Sequence, residues 1–237
     1  MKVEIWSDVM CPFCYIGKRK FEAALEQFAD KDKIEVEWKS FQLQPNLKTE
    51  ANKSTVAHLA ESKGWSLDHA RQMTQQVTDM AAEVGLHYDF DKAVVANSFD
   101  AHRLSHLAKK HGVQDALEEA LFKAYFTEGK NTADYEVLTQ LGVSVGLEAA
   151  EIKQVLESDR YADDVNHDIY QAQQVGARGV PFFVLGSKYA VSGAQPVETF
   201  KGALNAAWTE WKKEQPLTEV ATDNNSAVCS PEDGCEI

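Results

Sequence analysis

The chain has 237 residues, 44% of them hydrophobic and 26% charged, which is the balance of an ordinary soluble globule. A formal net charge of −13 argues against nucleic acid or an anionic membrane as the main partner. No apolar run approaches the length of a membrane span. The opening residues start a strand at once and lack the pattern of a signal peptide, so a cytoplasmic location is expected. Four cysteines in two close pairs then suit reactive or sensing thiols better than structural staples.

Taken in order, Val3 and Ile5 alternate with Glu4, which predicts a strand over residues 2–7. Phe21, Leu25 and Phe28 recur at helical spacing, which predicts a helix over 12–29. Cys11-Pro12-Phe13-Cys14 sits where strand meets helix. The free N–H groups and dipole of a first helical turn stabilise a thiolate at Cys11, which makes it the attacking sulfur. Pro12 suits the first turn, and Cys14 lies one turn on, in reach of a disulfide. A zinc site using Cys229 and Cys235 as its other half is the competing reading. Their wider spacing in a polar tail weighs against it, so no metal is expected.

A second strand follows at 34–41, closing a β-α-β unit with a right-handed crossover. From 49 to 175 one helical pattern follows another, with Ser66 as a predicted N-cap and Gly64, Gly85 and Gly112 as stops. The β signal returns at 180–185 and 189–192 as a hairpin. Pro196 opens a last helix with Phe200, Leu204, Ala207, Trp208 and Trp211 in phase. Residues 213–237 form an acidic tail.

The expected domains are therefore 1–48 with 176–212, an inserted helical domain at 49–175, and the tail. The fold class is α/β: a thioredoxin-like fold, β-α-β … β-β-α, with a large all-helical insertion. This layout resembles the DsbA family of thiol–disulfide oxidoreductases. Ser7-Asp8-x-x-Cys11-Pro12-Phe13-Cys14-Tyr15-x-Gly17, Asn97-Ser98-x-x-Ala101-His102-Arg103 and Gly179-Val180-Pro181 resemble its FrnE-like branch. The resemblance spans about residues 1–212.

It implies a cis peptide before Pro181, packed on the dithiol, so that Val180 offers main-chain groups to an extended substrate. It also implies that Asn97, His102 and Arg103 face the dithiol and bind a charged group of a substrate or of glutathione. The residues themselves leave other roles open. Phe13, on the exposed helix tip, can touch substrate. Asp8 either caps the helix start or relays a proton to and from Cys14. Trp6, Tyr15 and Trp38 either line a groove at the sulfurs or belong to the core. His102 and His106, one turn apart, fit a solvated or hydrogen-bonded face better than a metal site. Cys229 and Cys235 flank a Pro231…Gly234 turn and form either an idle loop or a second dithiol that trades disulfides with the first.

The function expected is protein disulfide exchange, with glutathione as a co-substrate and no bound cofactor. Partners are proteins carrying thiols or disulfides, and a homodimer is compatible with the sequence. Two other classes compete. One is a glutathione-dependent isomerase resembling 2-hydroxychromene-2-carboxylate isomerase, whose relatives carry Ser in place of Cys11 and need no second thiol. The other is a redox-regulated, chaperone-like binding protein.

Overall fold

The computed structural model describes residues 1–214 and, beyond them, only the backbone of two short strands, β7 (Cys229–Ser230) and β8 (Gly234–Cys235). Those two pair antiparallel. The rest of the tail, and the side chains of the expected second dithiol Cys229 and Cys235, lie outside the described residues.

β1 (Lys2–Ser7) leads into α1 (Pro12–Glu26) and β2 (Glu35–Ser40). β2 lies parallel to β1 in register Val3↔Val36 and Ile5↔Trp38. The other edge is supplied from far along the chain: β5 (Phe182–Leu185) runs antiparallel to β1, and β6 (Tyr189–Ser192) antiparallel to β5. The sheet order is β2-β1-β5-β6. The strand predicted from Val180 starts two residues later, because Val180 and Pro181 form the bend that enters it.

α1 and α9 (Val197–Lys213) cover one sheet face, where Phe21, Phe183 and Phe200 meet with ring centroids 4.7–5.8 Å apart. Trp6, Phe182 and Val184 form the other face with Ala172 and Ala177. Pro196 caps α9 from outside its first turn rather than opening it. α9 runs alongside α1 in the same direction: Lys20 Nζ donates to the Ala194 carbonyl, and Trp208 packs on Phe28. The tail therefore departs near the C-terminal end of α1, about 25 Å from Cys11 at 1.5 Å per helical residue.

The segment between β2 and β5 contains α2 (Thr55–Lys63), α3 (Leu67–Ala82), α4 (Phe99–Lys110), α5 (Gln114–Phe126), α6 (Tyr135–Ser144), α7 (Ala149–Leu156) and α8 (Ala162–Gln174). It is not wholly helical. β3 (Glu50–Ser54) pairs antiparallel with β4 (Val94–Val95) and straps the entry of the segment to the approach to α4. Ser66 caps α3 as predicted, accepting from the His69 N–H at 3.2 Å, while Gly64 and Gly112 adopt the left-handed conformation that ends helices. Leu104, Leu107, Leu117 and Leu121 on α4 and α5 are fully buried, and they share one continuous core with Val3, Ile5 and Phe183 of the sheet.

Candidate active site

The chain turns sharply after β1, with the Cys11 N–H donating to the Asp8 carbonyl at 2.9 Å. Cys11 is the N-cap of α1 and Pro12 its first residue. Pro12 has no N–H to leave unpaired, and its carbonyl accepts from the Tyr88 hydroxyl at 2.7 Å. The first turn of α1 carries no acidic residue of its own to offset the positive end of the helix dipole beside Cys11.

Both thiols are free. Cys14 is completely buried, whereas Cys11, itself only 3% exposed, forms part of the wall of an open cavity. Burial pushes the Cys14 thiol well above its usual range, and the neighbouring Cys11 adds to this; the Ser7 hydroxyl and the Asp8 N–H pull the other way.

The Val180–Pro181 peptide is cis, and the Cys11 thiol donates to the Val180 carbonyl at 3.5 Å. The loop carrying Pro181 rests on α1 at Gly17, where a Cβ would stand 2.9 Å from Pro181 Cγ. Gly17 is thus a point of close approach between the two halves of the site. Phe13 projects outward, 38% exposed, at the cavity rim.

Asp8 is fully buried. Its carboxylate accepts from the Leu43 N–H at 2.7 Å and lies 3.5 Å from His102 Nε2. It therefore fastens the loop after β2 and does not cap α1, whose N-cap is Cys11. His102 is also buried, beneath the dithiol turn rather than facing a ligand. Burial opposes its protonation, but the Asp8 carboxylate and, behind it, Glu118 hold it above the usual imidazole range. Burial raises the Glu118 carboxyl, which accepts from Ser105 Oγ at 2.6 Å.

The other two residues expected to bind substrate are taken up by the fold. The Asn97 side-chain amide donates to the Leu47 and Pro45 carbonyls, and its oxygen accepts from the Phe99 N–H at 2.8 Å. The Arg103 guanidinium is 4% exposed; it donates to the carbonyls of Val155, Ser158 and Arg160 and to Asp100. The Val155 carbonyl, which also accepts from the Ser158 N–H at 3.3 Å, lies in the last turn of α7 and the other two lie just beyond it, so Arg103 acts as a C-cap supplied from another helix.

Trp6, Tyr15 and Trp38 are core residues whose polar atoms bond to Asp168, Glu119 and Asp115 respectively. His106 faces Asp168 and Ser40, so the two histidines of α4 serve different partners. Among the described residues no three His, Cys, Asp or Glu side chains are grouped to hold a metal.

Of the residues that the sequence places at the dithiol, Phe13 and Val180 do line a cavity there, but its opposite wall is not foreseen. Met10 and Leu43 reach it from loops, Leu59 from α2, Trp65 from the α2–α3 turn, and Val77 from α3.

The family model described as DSBA-like thioredoxin domain matches residues 2–205. A probable DsbA oxidoreductase of Streptomyces coelicolor is 40% identical and superposes with a TM-score of 0.84, over 100% of this chain and 99% of that one. The uncharacterised protein YwbO of Bacillus subtilis (strain 168) is 28% identical over 215 residues, 86% of this chain and 95% of its own. The cytosolic disulfide reductase DsbM of Pseudomonas aeruginosa, solved with GSH, is 15% identical with a TM-score of 0.60, covering 90% of this chain and 98% of that one; it shares the fold. With a free thiol pair at the start of α1, Pro181 packed against that helix and a family match over most of its length, the chain belongs to the DSBA-like thioredoxin domain family.

Proposed function

We propose that the protein exchanges disulfides with thiol-containing proteins through Cys11 and Cys14. The observation that carries this reading is the unequal setting of the two sulfurs: Cys11 opens on a cavity at a helix N-terminus, and Cys14 is sealed beneath it.

In the reducing direction, the ionised Cys11 sulfur attacks one sulfur of the substrate disulfide. The substrate S–S bond breaks, and its other sulfur leaves and takes up a proton. Cys14 then surrenders its proton, attacks Cys11, and expels the second substrate thiol. The substrate gains two electrons and two protons; both come from the thiols of Cys11 and Cys14, which are left joined as a disulfide. The opposite direction is the same path reversed.

Burial first, and the neighbouring Cys11 second, hold Cys14 protonated; the mixed disulfide removes the second of these by taking up the Cys11 sulfur. Val180 lies outside any strand and no backbone bond among the described residues takes up its N–H, which leaves it open to the main chain of a substrate. The buried Cys14 supports exchange over glutathione-dependent isomerisation, which would use one reactive centre. No helix among the described residues is long and apolar enough to cross a membrane.

The test is trapping. Cys14→Ser should accumulate a mixed disulfide at Cys11 with reducible proteins such as insulin, and Cys11→Ser should form none. Full catalytic turnover by Cys14→Ser, or insulin reduction at the native rate by Cys11→Ser, would refute the proposal.

A further inference from the structure

The second half of the exchange requires a thiolate in a place that disfavours one. Cys14 is completely buried, so an ionised sulfur there needs hydrogen-bond donors from the protein itself. β1 alternates, which puts Ser7 on the same sheet face as Val3 and Ile5, the face that α1 covers and whose core includes Cys14. Ser7 is 2% exposed, and its hydroxyl meets no hydrogen-bond partner among the described residues. Asp8 follows at the end of the strand, and no backbone bond among the described residues takes up its N–H. The turn folds this peptide back toward the dithiol: the Asp8 carbonyl accepts from the Cys11 N–H at 2.9 Å, and the Cys11 carbonyl from the Cys14 N–H at 3.0 Å. Burial and the neighbouring Cys11 push the Cys14 thiol up, while the Ser7 hydroxyl and the Asp8 N–H pull it down.

An unpaired buried hydroxyl is a cost that most proteins avoid. A thiol sulfur is a weak acceptor and relieves it little, whereas a thiolate is a strong one. The Ser7 hydroxyl is therefore unsatisfied in the resting thiol and satisfied in the state that attacks. Interactions that strengthen on the way to the reactive state are the ones that accelerate a reaction.

Resting on the exchange reading above, we propose that the Ser7 hydroxyl, with the Asp8 N–H, forms the donor pair that receives the Cys14 thiolate while the mixed disulfide is resolved. In that step Cys14 loses its proton, its sulfur bonds to Cys11, and the bond between Cys11 and the substrate sulfur breaks. The electron pair leaves on the substrate sulfur, which takes up the proton. Ser7 donates a hydrogen bond throughout and keeps its own proton. The first attack, by Cys11 at the start of α1, uses neither donor.

The experiment uses the reduced full-length protein with Cys229 and Cys235 both replaced by serine, so that only the first pair reports. It is mixed rapidly with dithiobis(nitrobenzoate), whose released thiolate is coloured and leaves the Cys14 proton to the buffer. Cys11 releases the first equivalent at a rate that grows with reagent concentration. Cys14 releases the second at a rate that does not. Reagent is raised until the first phase outruns the second.

A hydrogen bond to an ionised group changes the thiolate population by about 10- to 150-fold. About half of that, on a logarithmic scale, returns as the greater nucleophilicity of a more basic sulfur. Ser7→Ala should thus slow the second phase by about 4- to 20-fold and leave the first within about twofold. Because the resting hydroxyl has no partner, reduced Ser7→Ala should melt no lower than its parent. Ser7→Thr, which keeps the hydroxyl, should resolve faster than Ser7→Ala, and the reverse order would count against the proposal. The alanine comparison decides if the threonine variant does not fold.

An unchanged second phase in Ser7→Ala, or equal slowing of both phases, would overturn the proposal. So would a lower melting temperature or an unfolded Ser7→Ala protein, either of which would give the hydroxyl a structural partner. A parent that releases only the first equivalent, or none, would sink the exchange reading and this proposal with it. Two phases in the parent with a native second phase in Ser7→Ala would remove Ser7 alone.

Discussion

Replacing Arg103 by alanine should damage the fold and leave the chemistry alone. The guanidinium donates to the carbonyls of Val155, Ser158 and Arg160 and to the Asp100 carboxylate, in a setting only 4% exposed. Hydrogen bonds from a charged donor contribute about 1.5–3 kcal/mol each. Truncation leaves three carbonyls short of a donor, but water entering the vacated space restores part of the loss. Breaking a buried charged pair by removing one partner costs about 3–5 kcal/mol, and we expect a loss in that range. In urea, with a slope near 3 kcal/mol per M, the unfolding midpoint should drop by about 1–1.7 M. Arg103→Lys keeps the charge but not the fork of donors and should recover less than half of the loss. Exchange measured per folded molecule should stay within about twofold of the native rate, since Arg103 touches none of the reacting groups. A variant with an unchanged midpoint and a raised KM for anionic disulfides would sink this account and return Arg103 to the substrate.

Gly17→Ala sets two effects against each other: helix propensity gains about 1 kcal/mol, while crowding Pro181 costs about 1–3 kcal/mol. With Pro181 Cγ only 2.9 Å from the new methyl, crowding should win, lowering both the melting temperature and the exchange rate; a more stable variant of native activity would contradict the contact. Asp8→Asn should lower the His102 imidazole pKa as read by NMR titration, because the carboxylate 3.5 Å away favours the imidazolium; an unmoved titration would dissolve the pair. Glu37 is pushed up by burial, but the ammoniums of Lys109, Lys2 and Lys39 overcome this and take its carboxyl down to about 2 from 4.5. Its contribution is therefore present above pH 4.5 and lost as pH falls toward 2, amounting to at most about 3 kcal/mol before screening of the exposed lysines. Glu37→Gln should flatten the acid limb of the stability–pH profile, and identical limbs would refute the ion cluster.

Much of the fold was legible because its signals are local. Val3 and Ile5 against Glu4 marked β1 to the residue, and Ser66 with Gly64 marked the junction between α2 and α3. β3 escaped because Glu50-Ala51-Asn52-Lys53-Ser54 carries no apolar alternation: it is held by backbone pairing to Val94 and Val95, at the margin of the core. The thiol pair was visible because Cys, Pro and helix start are sequence neighbours. The cavity was not, since Met10, Leu43 and Val77 become neighbours only after α2 and α3 fold against the turn. Asn97, His102 and Arg103 illustrate a different limit. A motif shows that residues matter together but not which way they point, and here they are turned inward, to the loop after β2, to Asp8 and to the end of α7.

The central strand of the sheet has one neighbour about thirty residues away and the other about 180 residues away, on the far side of seven helices. During synthesis the two sulfurs thus emerge from the ribosome long before Gly179, Val180 and Pro181 exist to flank them. Until the last quarter of the chain is made, the dithiol is an ordinary pair of cysteines open to any oxidant. Only when the hairpin of β5 and β6 closes on β1 does Pro181 come to rest on α1 at Gly17 and the Val180 carbonyl meet the Cys11 thiol, so a truncated product would carry both sulfurs without that flank.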